Sequence, residues 1–387
     1  MAELVKDHSH GVGPVVPASS RAAQFASFDV DAFEIPGGRE EIWRFTPLKR
    51  LRGLHSGAVA DGAVTVSVEA GAEVVVETVA RGDARLGTAG TPDDRIAAQA
   101  WSSFVDATVV TIPKDARPDA AIFIKVAGPG EGKLAYGHLQ VRAEQFAEAV
   151  VVVDHSGSGT YADNVEFIVG DGAKLNVVSV QDWADDAVHV SSHHNKLGRD
   201  STLRHTTITL GGEVVRLSPT VTYAERGGDA EMLGLYFADA GQHFENRTFV
   251  DHAVANCKSN VVYKGALQGE GAHTVWIGDV LIRAAAEGTQ TFELNRNLIL
   301  TDGARADSVP NLEIETGEIA GAGHASATGR FDDEQLFYLQ ARGIPEEQAR
   351  RLVVRGFFHE ILVKIGVPEL RERLEAAIEA ELEAVGA

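Results

Sequence analysis

The chain has 387 residues, enough for one large domain or two to three ordinary ones. Its 56 Asp and Glu outnumber 35 Lys and Arg, a formal charge of −21, which excludes non-specific binding to nucleic acid or anionic membranes because both need basic surface. Hydrophobic residues make up 44% and the one cysteine is Cys257, so a sizeable core is expected, while a disulfide framework and a self-contained cysteine-rich metal site are excluded. A lone thiol fits a reducing cytoplasm.

Residues 1–20 lack the basic start and apolar run of a secretory signal and read as a mobile lead-in, with His8 and His10 as solvated side chains. No segment reaches the roughly 18 apolar residues of a membrane span. Residues 21–104 read as a mostly helical, irregular region. Trp43 and Phe45 are its expected packing anchors, and Pro47 interrupts any continuing helix. Within it, Val64, Val66, Val68, Val74 and Val76 alternate as in a strand, and residues 94–104 form a short amphipathic helix.

From 105 to 323, short Val, Ile and Thr runs alternate with Gly and Asp turns. A turn-then-strand unit recurs with starts at Gly170, Gly198, Gly227 and Asn256, a nearly constant spacing. A second set of turns falls half a unit later, at Gly211-Gly212, Gly241, Gly269 and Asp302-Gly303. A constant repeat of strands without helices predicts a right-handed parallel β-helix, in which stacking buries what one rung cannot. An antiparallel sandwich has no reason to keep the rung length. The ends of such a solenoid must be capped or paired.

Residues 324–387 read as a C-terminal helical domain. Gly343 closes one helix and Pro345 opens the next, with Ala349, Leu352, Val353, Phe357 and Ile361 on one face. Pro368 opens a last helix carrying Leu370, Leu374, Ile378 and Leu382. These helices suit a cap on the solenoid end or a docking surface.

Catalytic signals are sparse. There is no P-loop and no Gly-x-Ser-x-Gly elbow. His189, His193 and His194 cluster at an expected rung turn. His189 and His193 share a strand face, which allows weak metal capture, but surface histidines are the preferred reading. Asp185-Asp186 and Asp332-Asp333-Glu334 are acid clusters, the second better explained by helix capping than by acid–base chemistry. Cys257 and His324 each offer a soft ligand, though a lone cysteine is usually a buried small hydrophobe.

Several stretches together carry a resemblance: Glu41-Ile42-Trp43-Arg44-Phe45-Thr46, Asn297 to Leu300, Pro310 to Ile314, Gly323-His324, Thr328 to Leu339, Ala341 to Ile344 and Gly356 to Glu360. In these the chain resembles the SufD branch of the SufB/SufD family of iron–sulfur cluster assembly proteins. The resemblance implies a right-handed parallel β-helix flanked by helical regions. It also implies a cytoplasmic, non-catalytic scaffold that pairs with SufB and is driven by the SufC ATPase. The transient iron–sulfur cluster would be shared with SufB, none being held by this chain alone. His324 matches the family's interface histidine, while Ala322 stands where the family has a cysteine, so the thiolates fall to a partner and Cys257 is a weak substitute. SufC docking is implied for the C-terminal helices, through Phe337, Tyr338, Arg342, Gly343, Phe357 and Phe358. The alternatives are a β-helix carbohydrate-active enzyme (lyase or epimerase), which needs convergent Asp, Arg or Lys on one face, and a structural homodimer without ligand chemistry.

Overall fold

The computed structural model describes residues 21–330 and 333–384. The lead-in with His8 and His10, and Asp332 at the expected cap, lie outside the described residues. After five single-turn 3₁₀ helices come β1 (Thr65–Glu69), β2 (Val75–Ala80) and the helix α1 (Arg95–Ser103), whose first turn is capped by Asp94. The 21–104 region is thus an irregular α/β segment of short helices and two strands, the strands falling at the alternating valines.

Two nine-stranded sheets follow. Sheet A stacks β4 (Ile122–Ala127), β6 (Glu148–Gly157), β8 (Lys174–Trp183), β10 (Thr202–Thr209), β12 (Asp229–Ala238), β14 (Lys258–Leu267), β16 (Gln290–Ile299) and β18 (Gly321–Arg330). Sheet B stacks β3 (Asp106–Ile112), β5 (Leu134–Ala143), β7 (Thr160–Val169), β9 (Val188–Leu197), β11 (Val214–Tyr223), β13 (His243–His252), β15 (His273–Ile282) and β17 (Arg305–Ile314). Neighbours within each stack pair in parallel, so the chain alternates between sheets as a β-solenoid. At the N-terminal end, β1 and β2 pair antiparallel with β4 and β3 and close both sheets.

The rungs are unequal in length: Val188 lies beside Val214, whereas Lys258 lies beside the more distant Gln290. What stays constant is a conformation. The residue two positions before each sheet A strand from β6 to β16 is left-handed: Phe146, Gly172, Asp200, Gly227, Asn256 and Gly288 all have φ between 50° and 82°. Gly, Asp and Asn tolerate that geometry. The turn alignment made from sequence slips at this point: Gly227 and Asn256 correspond to Gly172 and Asp200, not to Gly170 and Gly198.

Inward side chains form the central core, from Val110 and Ile124 through Val177, Val215 and Phe244 to Trp276 and Ile282. Tyr236 and Tyr263 lie on neighbouring strands, each beside a glycine of the other: Tyr236 pairs with Gly265 and Gly234 with Tyr263. A Cβ at either glycine would sit about 2 Å from the tyrosine ring, so only glycine admits it.

Both outer faces are also covered in the middle of the solenoid, which explains continuous apolar runs such as 149–153. The 21–104 region covers sheet B, with Trp43, Leu51, Leu54, Ile96 and Ala100 on Tyr136, Ala162, Val190 and Val214. A buried charge network locks it in place. Arg216 pairs with Asp94 at 2.8 Å and lies 4.4 Å from the Trp43 ring, while Thr46 donates to Glu245 at 2.7 Å. Trp43 is thus the anchor; Phe45 is only half-buried and carries Arg44 on its ring.

Sheet A is covered by α3 (Glu346–Leu362) and α4 (Pro368–Ala384), which follow α2 (Asp333–Ala341). Val354, Phe358, Ile361, Leu362, Leu370, Leu374 and Ile378 pack on Val178, Val180, Ile208, Leu233, Leu235 and Phe237. Arg373 grips Asp154 with two bonds of 2.7 Å, and Lys264 donates to the Phe357 carbonyl at 3.0 Å. The helices therefore lie along the flank and do not cap the end. Leu352, expected on the buried face, is exposed, and Val354 and Phe358 take that side instead.

Replacing Arg216 with Met leaves the buried Asp94 carboxylate without its counter-charge, and a stability loss of about 3–5 kcal/mol is expected in denaturant titration. An unchanged midpoint would show that the network does not hold the N-terminal region down.

Candidate functional site: the open end of the solenoid

The C-terminal end is built differently from the N-terminal end. Among the described residues no strand pairs with the outer edges of β17 and β18. β15 is buried along nearly its whole length, whereas β17 is half-buried and β18 is exposed from His324 onward. Two parallel edges with unsatisfied backbone groups lie side by side there. The expected boundary at 323 falls inside β18, which runs to Arg330.

His324 sits on this edge, in register with Glu293 of β16 and therefore on the same face. It lines a groove of about 970 Å³ with Arg21, Arg247, Asp279, Pro310 and Asn311. Ala322, earlier on the same face of β18, offers no ligand atom. Asn295 and Asn297 continue the inward face of β16. Asn297 donates to Asn295 at 2.8 Å, Ser308 at 3.0 Å and Thr328 at 3.2 Å, and Tyr236 donates to Asn297 at 2.7 Å. The interior is thus polar at its mouth.

Glu293 was not singled out from sequence, because a lone Glu in a strand gives no signal. It is 1% exposed, and neither carboxyl oxygen has a hydrogen-bond partner. Its carboxyl reaches the space left by Gly278, where a Cβ would lie 2.8 Å from Oε1. Burial, reinforced by the nearby Asp279 charge, pushes its pKa up to about 8.

The other expected site residues are dispersed. Cys257 is buried among core residues, its thiol pushed up by burial, with Sγ 3.7 Å from the carbonyls of Glu225 and Ala255. On α2, Phe337 and Tyr338 are 70% and 57% exposed, and Arg342 lies 4.9 Å from the Tyr338 ring. Gly343 is left-handed and exposed, ending α2. Phe357 is half-buried under Lys264, and Phe358 is fully buried against sheet A, so its side chain holds α3 down instead of facing outward.

The histidine cluster is the clearest correction. His189, His193 and His194 lie within β9, not at a turn, and all three are buried. His194 faces the covering N-terminal loop beside Gly90, and His193 faces inward, 3.3 Å from His205. Burial pushes His205 down to about 3 and His193 well below the usual range. His189 sits with His155 and Asp163, a grouping with no sequence-local signature. Burial lowers His155 to about 4. Burial alone would raise Asp163, but the hydrogen bond from His189 and the charges around it hold it at about 2.

A second groove, on the outer face of sheet A, holds Arg117, Lys174 and Arg204, but each is already paired, with Glu148 or Glu231. No helix among the described residues is long and apolar enough to cross a membrane.

The fold and its end define a parallel β-solenoid protein with flanking helices and an unpaired terminal rung. The family described as SUF system FeS cluster assembly, SufBD core domain, matches residues 126–357. An iron–sulfur cluster assembly SufBD family protein of Mycobacterium tuberculosis is 66% identical over 373 residues, covering 95% of this chain and 94% of that protein. One of Mycobacterium leprae is 66% identical over 377 residues, 96% of each chain. A second SufBD family protein of M. leprae is 26% identical over 242 residues, 62% of this chain and 28% of that protein. The chain belongs to the SufBD family of iron–sulfur cluster assembly proteins.

Glu293 supplies a pH test. Its raised folded pKa means its contribution is fully present below about 4.5 and is lost as pH rises through about 8, where the buried carboxyl must ionise. Glu293→Gln should therefore raise the thermal midpoint of the isolated chain at pH 9 and leave it unchanged at pH 4. Equal effects at both pH values would remove the buried-acid assignment.

Proposed function

We propose that this chain is the SufD-type scaffold subunit of an assembly complex, without turnover chemistry of its own. It pairs with SufB along the β17 and β18 edges and contributes His324 to a cluster formed at that interface. The observation that carries this reading is the asymmetry of the solenoid: one end closed by antiparallel strands, the other left as two open edges with His324 on them. A partner solenoid presenting matching edges would satisfy the exposed backbone groups by β-addition.

The relatives support the assignment to the D-type member. M. leprae has two family members in the comparison, one matching nearly all of this chain and one far longer and more distant. A heteromeric pair accounts for two such proteins in one organism. Ala322 supports a division of labour in which SufB provides thiolates and this chain an imidazole. The cluster is then substrate and product of the complex, held here only in part, and the compartment is the cytoplasm.

SufC docking is assigned to α2 and the start of α3, where Phe337 and Tyr338 are exposed aromatic side chains next to Arg342. Removing residues 344–387 is a poor test, since it would uncover Val178, Leu233 and Phe237 on sheet A.

In a co-purified complex, His324→Ala should cut cluster iron and labile sulfide about tenfold while SufB and SufC remain associated. A normal cluster yield would sink the ligand role. Phe337→Ala with Tyr338→Ala should weaken SufC binding about tenfold or more without lowering the thermal midpoint of the chain. Undiminished SufC binding would move the docking surface elsewhere.

A further inference from the structure

His155, Asp163 and His189 come from three strands, β6, β7 and β9, and meet inside the solenoid with their ligand atoms within 4.8 Å of one another. The hydrogen bonds around them decide which atoms face the centre. Trp183 Nε1 can only donate, and it lies 2.7 Å from Gln181 Oε1, which identifies that atom as the amide oxygen. His189 Nδ1 lies 2.7 Å from the same oxygen and therefore carries a proton. In the neutral ring, Nε2 is then a bare lone pair, yet it faces Asp163 Oδ1 at 3.2 Å.

His155 repeats the pattern. Its Nδ1 lies 3.1 Å from the Val180 carbonyl, an acceptor only, and its Nε2 is buried with no partner. Gln181 Nε2, which has two hydrogens to give, lies 3.2 Å from the same Nδ1 and 3.1 Å from Ser179 Oγ. Among the described residues no lysine or arginine pairs with Asp163, so the contact between His189 Nε2 and Asp163 is held either by a proton on that nitrogen or by a cation in its place.

We propose that His155 Nε2, His189 Nε2 and an Asp163 oxygen bind one divalent first-row transition ion. Two imidazoles and one carboxylate are a donor set for such ions with a position left open. Bonds of about 2.0–2.2 Å at a tetrahedral angle put donor atoms about 3.3 Å apart, which the His189–Asp163 pair already meets. The Nδ1 contacts to Gln181 and Val180 are the outer hydrogen bonds that orient metal-bound histidines. Tyr161, stacked on His189 at 5.2 Å, and Trp183, at 5.0 Å, hold the ring.

His155 and Asp163 flank the corner between β6 and β7, where Ser156 and Gly157 are exposed and Gly157 and Gly159 are both left-handed. The proposal is independent of the His324 reading. Four sheet B steps, β9 to β17, separate the two sites, about 19 Å at the usual strand spacing.

The test is Co²⁺ titration of chelator-stripped full-length chain, read by ligand-field absorption and followed by displacement with Fe²⁺ under anaerobic conditions or with Zn²⁺. One Co²⁺ per chain is expected, displaced by either ion. His155→Gln and Asp163→Asn should each weaken binding at least tenfold, while His205→Gln, one buried imidazole away, should not. The double variant His8→Gln and His10→Gln should keep full binding. Failure of the native chain to take up Co²⁺, Fe²⁺ or Zn²⁺ would overturn the proposal without any variant. So would binding that survives both ligand variants, or that disappears with His8 and His10.

Discussion

Everything in this molecule depends on the in-register parallel ladder. Once β8 lies on β6 and β10 on β8 without a shift, a position that faces inward on one rung faces inward on all. From β6 to β16 the register is held by one left-handed residue before each sheet A strand, not by a fixed count, since the rungs differ in length. Insertions are absorbed at the corners while the turn conformation re-sets each strand. The same constraint produces reciprocal fits such as Tyr236 over Gly265.

The ladder also explains how an interior can be polar without collapsing. Stacked strands satisfy their own backbone, so inward side chains need only find one another. They do so around His155, Gln181 and His189 near the corner after β6, between His193 and His205, along His252, Ser259 and Thr291, and around Asn295, Asn297 and Tyr236 near the open end. Between them the interior is mainly apolar or aromatic. Buried polar groups in such a tube restrict which neighbours can stack, because a one-residue slip would leave each of them without a partner. Glu293 has both carboxyl oxygens buried without a hydrogen-bond partner, one rung from the open edge, where the ladder has run out of strands to complete it.

The two outer faces are covered by unrelated means. Sheet B is covered by the irregular N-terminal region through one buried arginine, Arg216, and sheet A by amphipathic helices whose rims are tied by Arg373 and Lys264. The Glu41–Thr46 stretch that carries part of the family resemblance has its physical reason here: Trp43 lies on Arg216 and Thr46 bonds Glu245. Because both covers are lateral, neither protects the end of the stack. The open β17 and β18 edges follow from that arrangement.

Repeat spacing, the turn residues and the helical periodicity of 346–384 are local properties, so the solenoid and its C-terminal helices were legible in the chain alone. The family stretches likewise singled out His324. What a strand residue faces is not local. Alternation shows that His189 and His193 share a side, but not that the side is the inside, because the outer face of sheet B is buried as well. His155 and Asp163 lie on other strands, well before His189 in the chain, and only the stacking of β6, β7 and β9 brings them to it. The same reason hid Glu293 and moved the helices from the end to the flank: periodicity says that a helix has an apolar face, and only the tertiary structure decides which apolar surface it meets.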